Sequence, residues 1–203
     1  MAEQRNDQAG RTRRGPGRPR QEHVTRAVLD AVVALVAEHG MGALTMDAVA
    51  ARAGVSKPAM YRRWPTKQDL VIAAAESRIA PLTVPDMGDF RTELRAVLTA
   101  RMEAYRRPGV DRLLAGVIGS AAEAGAQPGA YQEYTSRVMS ETRHLLERGV
   151  ERGDVRPDVD VADAATLVAA ALVFRMVGEQ RMPDASLVES VVDMIGRAVG
   201  TQP

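Results

Sequence analysis

Apolar residues recur three and four positions apart in one segment after another from residue 21 to the C-terminus, which is the period of an α-helix. The first segment has this pattern, with Val24, Val28, Ala31, Val32 and Leu35 on one face. No segment alternates apolar and polar residues as a half-exposed strand does. The sequence therefore predicts an all-α protein of about nine helices.

Capping residues and helix breakers predict where these helices begin and end. Gly40 is suited to end the first helix. Thr45 and Ser56 are suited to cap the second and third helices, and Thr66 with Asp69 resembles a capping box that opens the fourth. The helices after the first are predicted at 46–53, at 57–64, from Thr66 to before Pro81, and at about 89–106, 110–124, 128–152, 160–180 and 184–199.

Charge is distributed unevenly along the chain. The net charge is +1, but residues 1–67 carry 12 Lys+Arg against 6 Asp+Glu, whereas the remaining residues carry 15 against 20. A basic N-terminal part is typical of a nucleic-acid-binding end. Residues 1–20 lack apolar periodicity and are rich in Arg, Gly, Gln and Pro, which predicts a disordered basic arm. We therefore expect this arm at 1–20, a DNA-binding domain at 21–67 and a larger helical domain at 68–203.

The composition argues against several classes of protein. The chain has no cysteine, so it holds no disulfide and no thiolate metal site, and its three histidines are scattered. No Ser/His/Asp arrangement, phosphate-binding loop or metal-spaced ligand set is recognisable, so we expect neither an enzyme nor a cofactor. The longest apolar stretch, 164–174, is shorter than the roughly 20 residues that span a bilayer, and no signal peptide follows the early arginines. A cytoplasmic protein is the expectation.

The two short helices on either side of Gly54 and Val55 form the most informative motif. A helix-turn-helix needs a small residue in its first helix and a glycine in its turn, and Ala50 and Gly54 supply them four residues apart. Met60 is an apolar contact that holds the second helix to the first. A Gly-Val pair also joins ordinary helical hairpins, so the helix that follows has to decide between the two interpretations.

That following helix presents a face suited to the major groove of DNA. With successive residues 100° apart and Met60 toward the core, Pro58 and Arg62 lie on the opposite face. Lys57, Ala59 and Tyr61 flank them. Arg62 could donate two hydrogen bonds to a guanine edge, while Lys57 and the Tyr61 hydroxyl are suited to phosphates, which fix the register.

Neighbouring residues extend this predicted surface. Thr45 and Lys67 lie at helix N-termini, where backbone N–H groups favour a phosphate, and Trp64 is predicted in the core. Arg63 is a solvated charge, a phosphate contact or a cap. The Gly-Arg-Pro around Arg18 resembles an AT-hook core, so the arm either enters a minor groove or only keeps the chain soluble. The predicted DNA-contacting residues are Thr45, Ser56, Lys57, Pro58, Ala59, Tyr61, Arg62, Arg63, Lys67, Arg18 and Arg20.

The run LTMDAVAARAGVSKPAMYRRWPTK, residues 44–67, resembles the DNA-binding domain of the TetR (tetracycline repressor) family, and the likeness covers about residues 21–70. The sequence departs from the common pattern at Arg63-Trp64, where His-Phe or Tyr-Phe is usual, and at Pro58, where glycine is frequent. These departures leave the base preference open. The resemblance implies a homodimer that binds a double-stranded DNA operator, and a C-terminal domain that binds a small-molecule effector and dimerises. The stretch 151–158 resembles the turn before the last two helices in many such regulators.

The last two predicted helices are the candidates for dimerisation. Helix 160–180 is crowded with small and apolar residues, and a helix apolar on most sides is buried on most sides. Both helices could simply complete the core of one protomer; the family resemblance favours a four-helix dimer interface. The candidate interface residues are Leu167, Ala170, Ala171, Phe174, Val188, Val191, Val192 and Ile195.

For the effector we look to the helices between residues 89 and 152. Methionines and aromatics at helical spacing are core residues more often than ligand contacts. A charged group on a ligand could meet Arg101, Glu103 or Glu141, although each of these could equally face solvent. The candidate pocket residues are Met102, Tyr105, Leu113, Val117, Tyr131, Tyr134 and Met139.

The function expected from these features is transcriptional regulation, as a repressor that a small-molecule effector releases from an inverted-repeat operator. The alternative is a helical protein that binds nucleic acid without sequence preference and does not respond to an effector.

Overall fold

A computed structural model describes residues 17–79, 82, 84–121 and 128–201, and these residues form nine α-helices and no strand. A 3-10 turn, Met41–Ala43, follows the first helix, and a π-helical turn, Phe174–Gly178, follows the eighth. The all-α prediction is confirmed. The helices are α1 Gly17–His39, α2 Met46–Ala53, α3 Lys57–Tyr61, α4 Lys67–Arg78, α5 Phe90–Tyr105, α6 Val110–Ala121, α7 Pro128–Arg152, α8 Val161–Val173 and α9 Ala185–Val199.

Most predicted helix ends agree with the structure to within a few residues. The Thr66 hydroxyl accepts from the Asp69 N–H at 3.1 Å, and the Asp69 carboxylate accepts from the Thr66 N–H at 3.0 Å, which is the predicted capping box. Gly40 ends α1 with a φ of +76°. The Ser56 side chain, in contrast, makes no capping hydrogen bond, although Ser56 does occupy the N-cap position of α3.

Three helices have bounds that differ from the prediction. α1 begins at Gly17, so the last four residues of the predicted arm are helical, while residues 1–16 lie outside the described residues. α3 ends at Tyr61 instead of Trp64, because the proline that follows Trp64 keeps the helix from continuing. The predicted helix 160–180 is α8 plus the π-helical turn, in which the Glu179 N–H donates to the Phe174 carbonyl five residues back.

The N-terminal helices pack directly against the C-terminal domain at α6. A Cβ on Gly109, the residue before α6, would lie 2.9 Å from the Ala37 Cβ, so only glycine permits this approach to α1. Arg112 donates to the Ala37 carbonyl at 2.7 Å. Arg137 on α7 pairs with Glu76 on α4. Thus α1 is in contact with α6, and α4 is in contact with α7.

A buried carboxylate joins the beginning of α5 to the end of α7. Glu93 is 0% exposed and accepts from Arg152 at 2.8 and 3.1 Å, from Arg148 at 2.8 Å and from the Met87 N–H at 2.8 Å. Burial raises the pKa of Glu93, but the hydrogen bonds from the two arginines and the Met87 N–H outweigh burial and lower it to about 2. Arg152 also binds Asp154, in the turn between α7 and α8. One ionised carboxylate thus holds three segments together.

One stretch among the described residues, 161–178, is long and apolar enough to cross a membrane by length and composition alone. It comprises α8 and the π-helical turn, and it is longer than the apolar stretch 164–174 expected from the sequence because it continues past Asp163 and Arg175. A core helix of a soluble protein passes the same test, but only 28% of this stretch is buried. An apolar face therefore remains accessible on this helix.

We predict that Glu93→Gln lowers the free energy of unfolding by about 2 kcal/mol at pH 7, because two half-buried arginines, Arg148 and Arg152, lose the buried carboxylate that accepts from both. Urea unfolding followed by circular dichroism measures this, and Glu151→Gln, at an exposed position of α7, is the matched control. Because the pKa of Glu93 is lowered on folding, its contribution is present above pH 4.5 and is lost as the pH falls toward about 2. The difference in the free energy of unfolding between wild type and Glu93→Gln should become smaller over that pH interval. A difference that stays constant would contradict the lowered pKa of Glu93.

Candidate nucleic-acid interface

A left-handed glycine closes the turn between α2 and α3. Gly54 has φ 66° and ψ 32°, and its N–H donates to the Ala51 carbonyl at 3.3 Å. The next N–H, of Val55, donates to the Ala50 carbonyl at 3.1 Å. At the other end of α2, the Thr45 hydroxyl accepts from the Ala48 N–H at 3.1 Å. The predicted cap and the predicted turn of the helix-turn-helix are both present.

The second helix of the motif, α3, turns one face inward and leaves the other free. Met60 is 1% exposed and Trp64, just after the helix, is 7% exposed, so both lie in the core as predicted. Val49 and Ala50 of α2 are buried beside them. The residues on the outer face of α3 are exposed, except for half-buried Ala59: Lys57, Pro58, Ala59, Tyr61 and Arg62.

Two cations of this surface are held by neighbouring groups. The Lys57 ammonium lies 2.7 Å from a carboxylate oxygen of Asp47 in the first turn of α2, and both side chains are more than half exposed. An ion pair so exposed is worth at most about 1 kcal/mol, so Lys57 can exchange this carboxylate for another anion. The Lys67 ammonium lies 3.5 Å from the Met41 carbonyl.

Arg63 is exposed but has two contacts within the protein. Its guanidinium donates to the Gln21 carbonyl at 3.4 Å and lies 5.7 Å from the centre of the Trp64 ring. These contacts join the start of α1 to the segment just after α3, a role that neither spacing nor motif indicated. Arg18 and Arg20 belong to the first turns of α1, and their side chains lie outside the described residues.

Two family models together cover most of the chain. Residues 28–74 match the family described as bacterial regulatory proteins, tetR family, and residues 84–195 match the tetracyclin repressor-like C-terminal domain. The chain belongs to the TetR family. It is therefore a helix-turn-helix, DNA-binding transcriptional regulator.

Relatives and solved structures agree with this membership. The chain is 31% identical over 170 residues to YdeS of Bacillus subtilis, an uncharacterized HTH-type transcriptional regulator, with 79% of this chain and 81% of YdeS covered. It is 29% identical over 185 residues to the HTH-type regulator Rv1556 of Mycobacterium tuberculosis, with 82% of each covered. The crystal structure of the TetR family regulator SCO0332 superposes with a TM-score of 0.69 at 30% identity, over 88% of this chain and all of SCO0332. A TetR family regulator from Marinobacter aquaeolei VT8, at 24% identity and a TM-score of 0.62, shares the fold over 91% of this chain and 100% of its own.

The effector candidates of this TetR-family regulator lie mostly in its core. The C-terminal domain has a cleft of 340 Å³ between α6 and the π-helical turn, and another of 300 Å³ between α7 and the segment before α5. None of the effector candidates lines either cleft. Met102, Tyr105, Leu113, Val117 and Tyr134 are buried, and Tyr131 and Met139 are half-buried.

A buried ion pair lies beside these residues. Arg101 of α5 and Glu141 of α7 are paired with each other in the interior, and Glu141 also accepts from the Leu82 N–H at 2.5 Å. Burial raises the pKa of the Tyr105 hydroxyl; the nearby Arg101 lowers it and Glu141 raises it. Glu103, the third charge considered from the sequence, is exposed. The interior of the C-terminal domain therefore contains a charged pair with a neutral tyrosine next to it.

The dimer candidates divide into two groups. Leu167 and Phe174 are 63% and 65% exposed. Ala170 is also exposed, and Ala171 and Ile195 are half-buried. Val188, Val191 and Val192, by contrast, are buried within the protomer. Met194 is 63% exposed on α9 and was absent from the candidates, although it lies off the valine stripe of that helix.

We predict that Gly54→Ala lowers the free energy of unfolding by about 1 kcal/mol, because a residue with a Cβ is strained at a φ of +66°. Nothing lies within 4 Å of a Cβ at this position, so the cost comes from the backbone alone. Gly54→Asn should cost less, since asparagine tolerates the left-handed region. Thermal unfolding measures the loss of stability in each of these variants. The matched control is Gly42→Ala, where the Cβ is equally free and φ is not positive; equal losses at 42 and 54 would contradict the backbone explanation.

Proposed function

We propose that this TetR-family regulator is a repressor that binds an inverted-repeat operator as a homodimer and leaves it when a small molecule binds the C-terminal domain. The exposed outer face of α3 carries the proposal. Arg62 is assigned to a base edge, Lys57 and the Tyr61 hydroxyl to phosphates, and Pro58 or Ala59 to a thymine methyl. Such a protein acts in the cytoplasm, where bacterial DNA is.

The accessible face of α8 supports the homodimer. Leu167, Ala170 and Phe174 follow one another at three- and four-residue spacing, which places them on one side of the helix. Met194 adds a further exposed apolar side chain on α9. An apolar face of this kind, in the stretch 161–178 of which 28% is buried, favours a protein partner. A two-fold interface built from α8 and α9 of two copies matches the symmetry of an inverted repeat, with recognition helices about 34 Å apart.

The buried ion pair and the contacts between the domains support control by an effector. A ligand with a polar group could exchange partners with Arg101 or Glu141, and Glu141 is bonded to the segment that leads from α4 to α5. The contacts of α6 with α1, through Gly109 and Arg112, provide a physical path to the DNA-binding helices. The effector can shift DNA occupancy only by the difference between its affinities for the two arrangements.

Footprinting of the full chain on the DNA upstream of its own gene tests this proposal. We expect a short protected inverted repeat. Diffuse protection that disappears with added salt would instead support binding without sequence preference. On the protected DNA, Arg62→Ala should weaken binding by about 1–3 kcal/mol and relax the preference at one base pair of each half-site.

Arg181→Ala, after the π-helical turn and 67% exposed, is the control for Arg62→Ala and should leave DNA affinity unchanged. If Arg62→Ala weakened binding equally on every sequence, Arg62 would be a phosphate contact and its assignment to a base would be wrong.

Leu167→Glu should convert the dimer to a monomer, because it places a charge in the centre of the apolar face of α8. Sedimentation velocity measures the change, and circular dichroism checks that the helices remain folded. Met87→Glu is the matched control, since Met87 is 50% exposed in the segment before α5. A Leu167→Glu protein that still sediments as a dimer would place the interface on another surface.

A further inference from the structure

A cleft of 530 Å³ opens between the start of α1 and the recognition helix. Its volume lies within the range of about 300–1,000 Å³ that is usual for small-molecule sites. Six of the nine lining residues are apolar, and three of these are at most 7% exposed and form the floor. The lining residues are Gln21, Val24, Val28, Val55, Ala59, Met60, Arg62, Arg63 and Trp64.

The rim of this cleft is cationic. Arg62 and Arg63 both line it, and Arg63 is held in place by the Gln21 carbonyl and the Trp64 ring. A guanidinium has five N–H donors, so the bond to one carbonyl leaves further donors available for an anion. Among the residues that the structure describes, no acidic side chain lines the cleft. Charge complementarity therefore favours an anion and disfavours the basic residues 1–16 of the chain as the occupant.

We propose that this cleft binds an amphiphilic carboxylate, with its apolar chain on the valine, methionine and tryptophan floor and its carboxylate on the Arg62–Arg63 rim. An apolar wall and one cationic end together select a ligand that has both parts. Neither part suffices alone, since a small anion makes no apolar contact and a neutral chain makes no contact with the guanidiniums.

Such a ligand competes with DNA, because Arg62 and Ala59 belong both to the cleft and to the assigned DNA-reading face. This competition with DNA rests on the proposed function. The ligand would then regulate DNA binding directly, at the DNA-binding surface itself. This regulation is separate from any effector that the C-terminal domain binds.

Trp64 is the only tryptophan of the chain and lines the cleft, so its fluorescence reports binding without any DNA. Titration of the full chain with decanoate below its micellar concentration should give a saturable change in Trp64 emission. Decanol and decyltrimethylammonium, which keep the chain but carry no charge or the opposite charge, should bind at least about tenfold more weakly. Equal responses to all three would overturn the assignment of the carboxylate to the arginine rim, and no response to decanoate would overturn the site.

Variants separate this cleft from other places where a fatty acid could bind. Arg63→Gln should raise the dissociation constant of decanoate about tenfold, whereas Arg63→Lys, which keeps the charge, should raise it less. Val24→Glu places a carboxylate in the cleft and should abolish the response, whereas Val24→Ala, which shortens the apolar wall without adding a charge, should weaken it less. Circular dichroism confirms that each variant is folded. A Val24→Glu protein that binds decanoate like wild type would contradict the proposal.

The competition is measured with labelled operator DNA by fluorescence anisotropy. Decanoate, and not decanol, should release the DNA over the concentrations that change Trp64 emission. Release without a change in Trp64 emission would place the ligand elsewhere and overturn the site. A Trp64 response without release would overturn the competition. If the chain bound no operator at all, the proposed function would fail, while the Trp64 titration would still decide whether the cleft takes the ligand.

Discussion

The left-handed backbone at Gly54 sets the angle between α2 and α3, and the orientation of the exposed face of α3 depends on that angle. With φ at +66°, the chain reverses within two residues, and the N–H groups of Gly54 and Val55 still find carbonyl partners at the end of α2. Met60 and Trp64 then anchor the new direction in the core. Because a helix as short as α3 has little stability of its own, these anchors and not helix propensity hold its outer face toward solvent.

The same N-terminal unit is firmly attached to the C-terminal domain. Gly109 allows α6 to approach α1 so closely that no side chain fits between them, and Arg112 closes the contact on the Ala37 carbonyl. Further along, the Glu93 carboxylate fixes the start of α5 against the end of α7. The close contact between α6 and α1 is the place where a displacement of α6 would reach the N-terminal helices, as the proposed control by an effector requires.

Local features of the fold could be predicted from the sequence, because they depend on neighbouring residues. The cap at Thr45, the capping box at Thr66, the turn at Gly54 and the inward direction of Met60 all follow from spacing and residue type. The early end of α3 could also have been predicted, since a proline comes directly after Trp64. Helical periodicity alone instead extends the predicted helix to residue 64.

Features that depend on long-range contacts could not be predicted in this way. Nothing in the spacing of Arg101 and Glu141, forty residues apart, indicates that they neutralise each other in the interior. The valines of α9 have the same apolar character as Leu167 on α8, yet they face the core of the protomer while Leu167 is exposed, because only the packing of α9 on α5 and α8 distinguishes the two. Arg63 likewise had several possible roles until the fold brought Gln21 beside it.

The claim that α3 reads DNA sequence as one half of a two-fold pair is tested most directly by selecting bound sequences from random DNA with the purified full chain. We expect an enriched inverted repeat whose half-sites are about one helical turn apart or separated by a longer spacer. Enrichment of a single asymmetric site, or no enrichment above the starting pool, would contradict it.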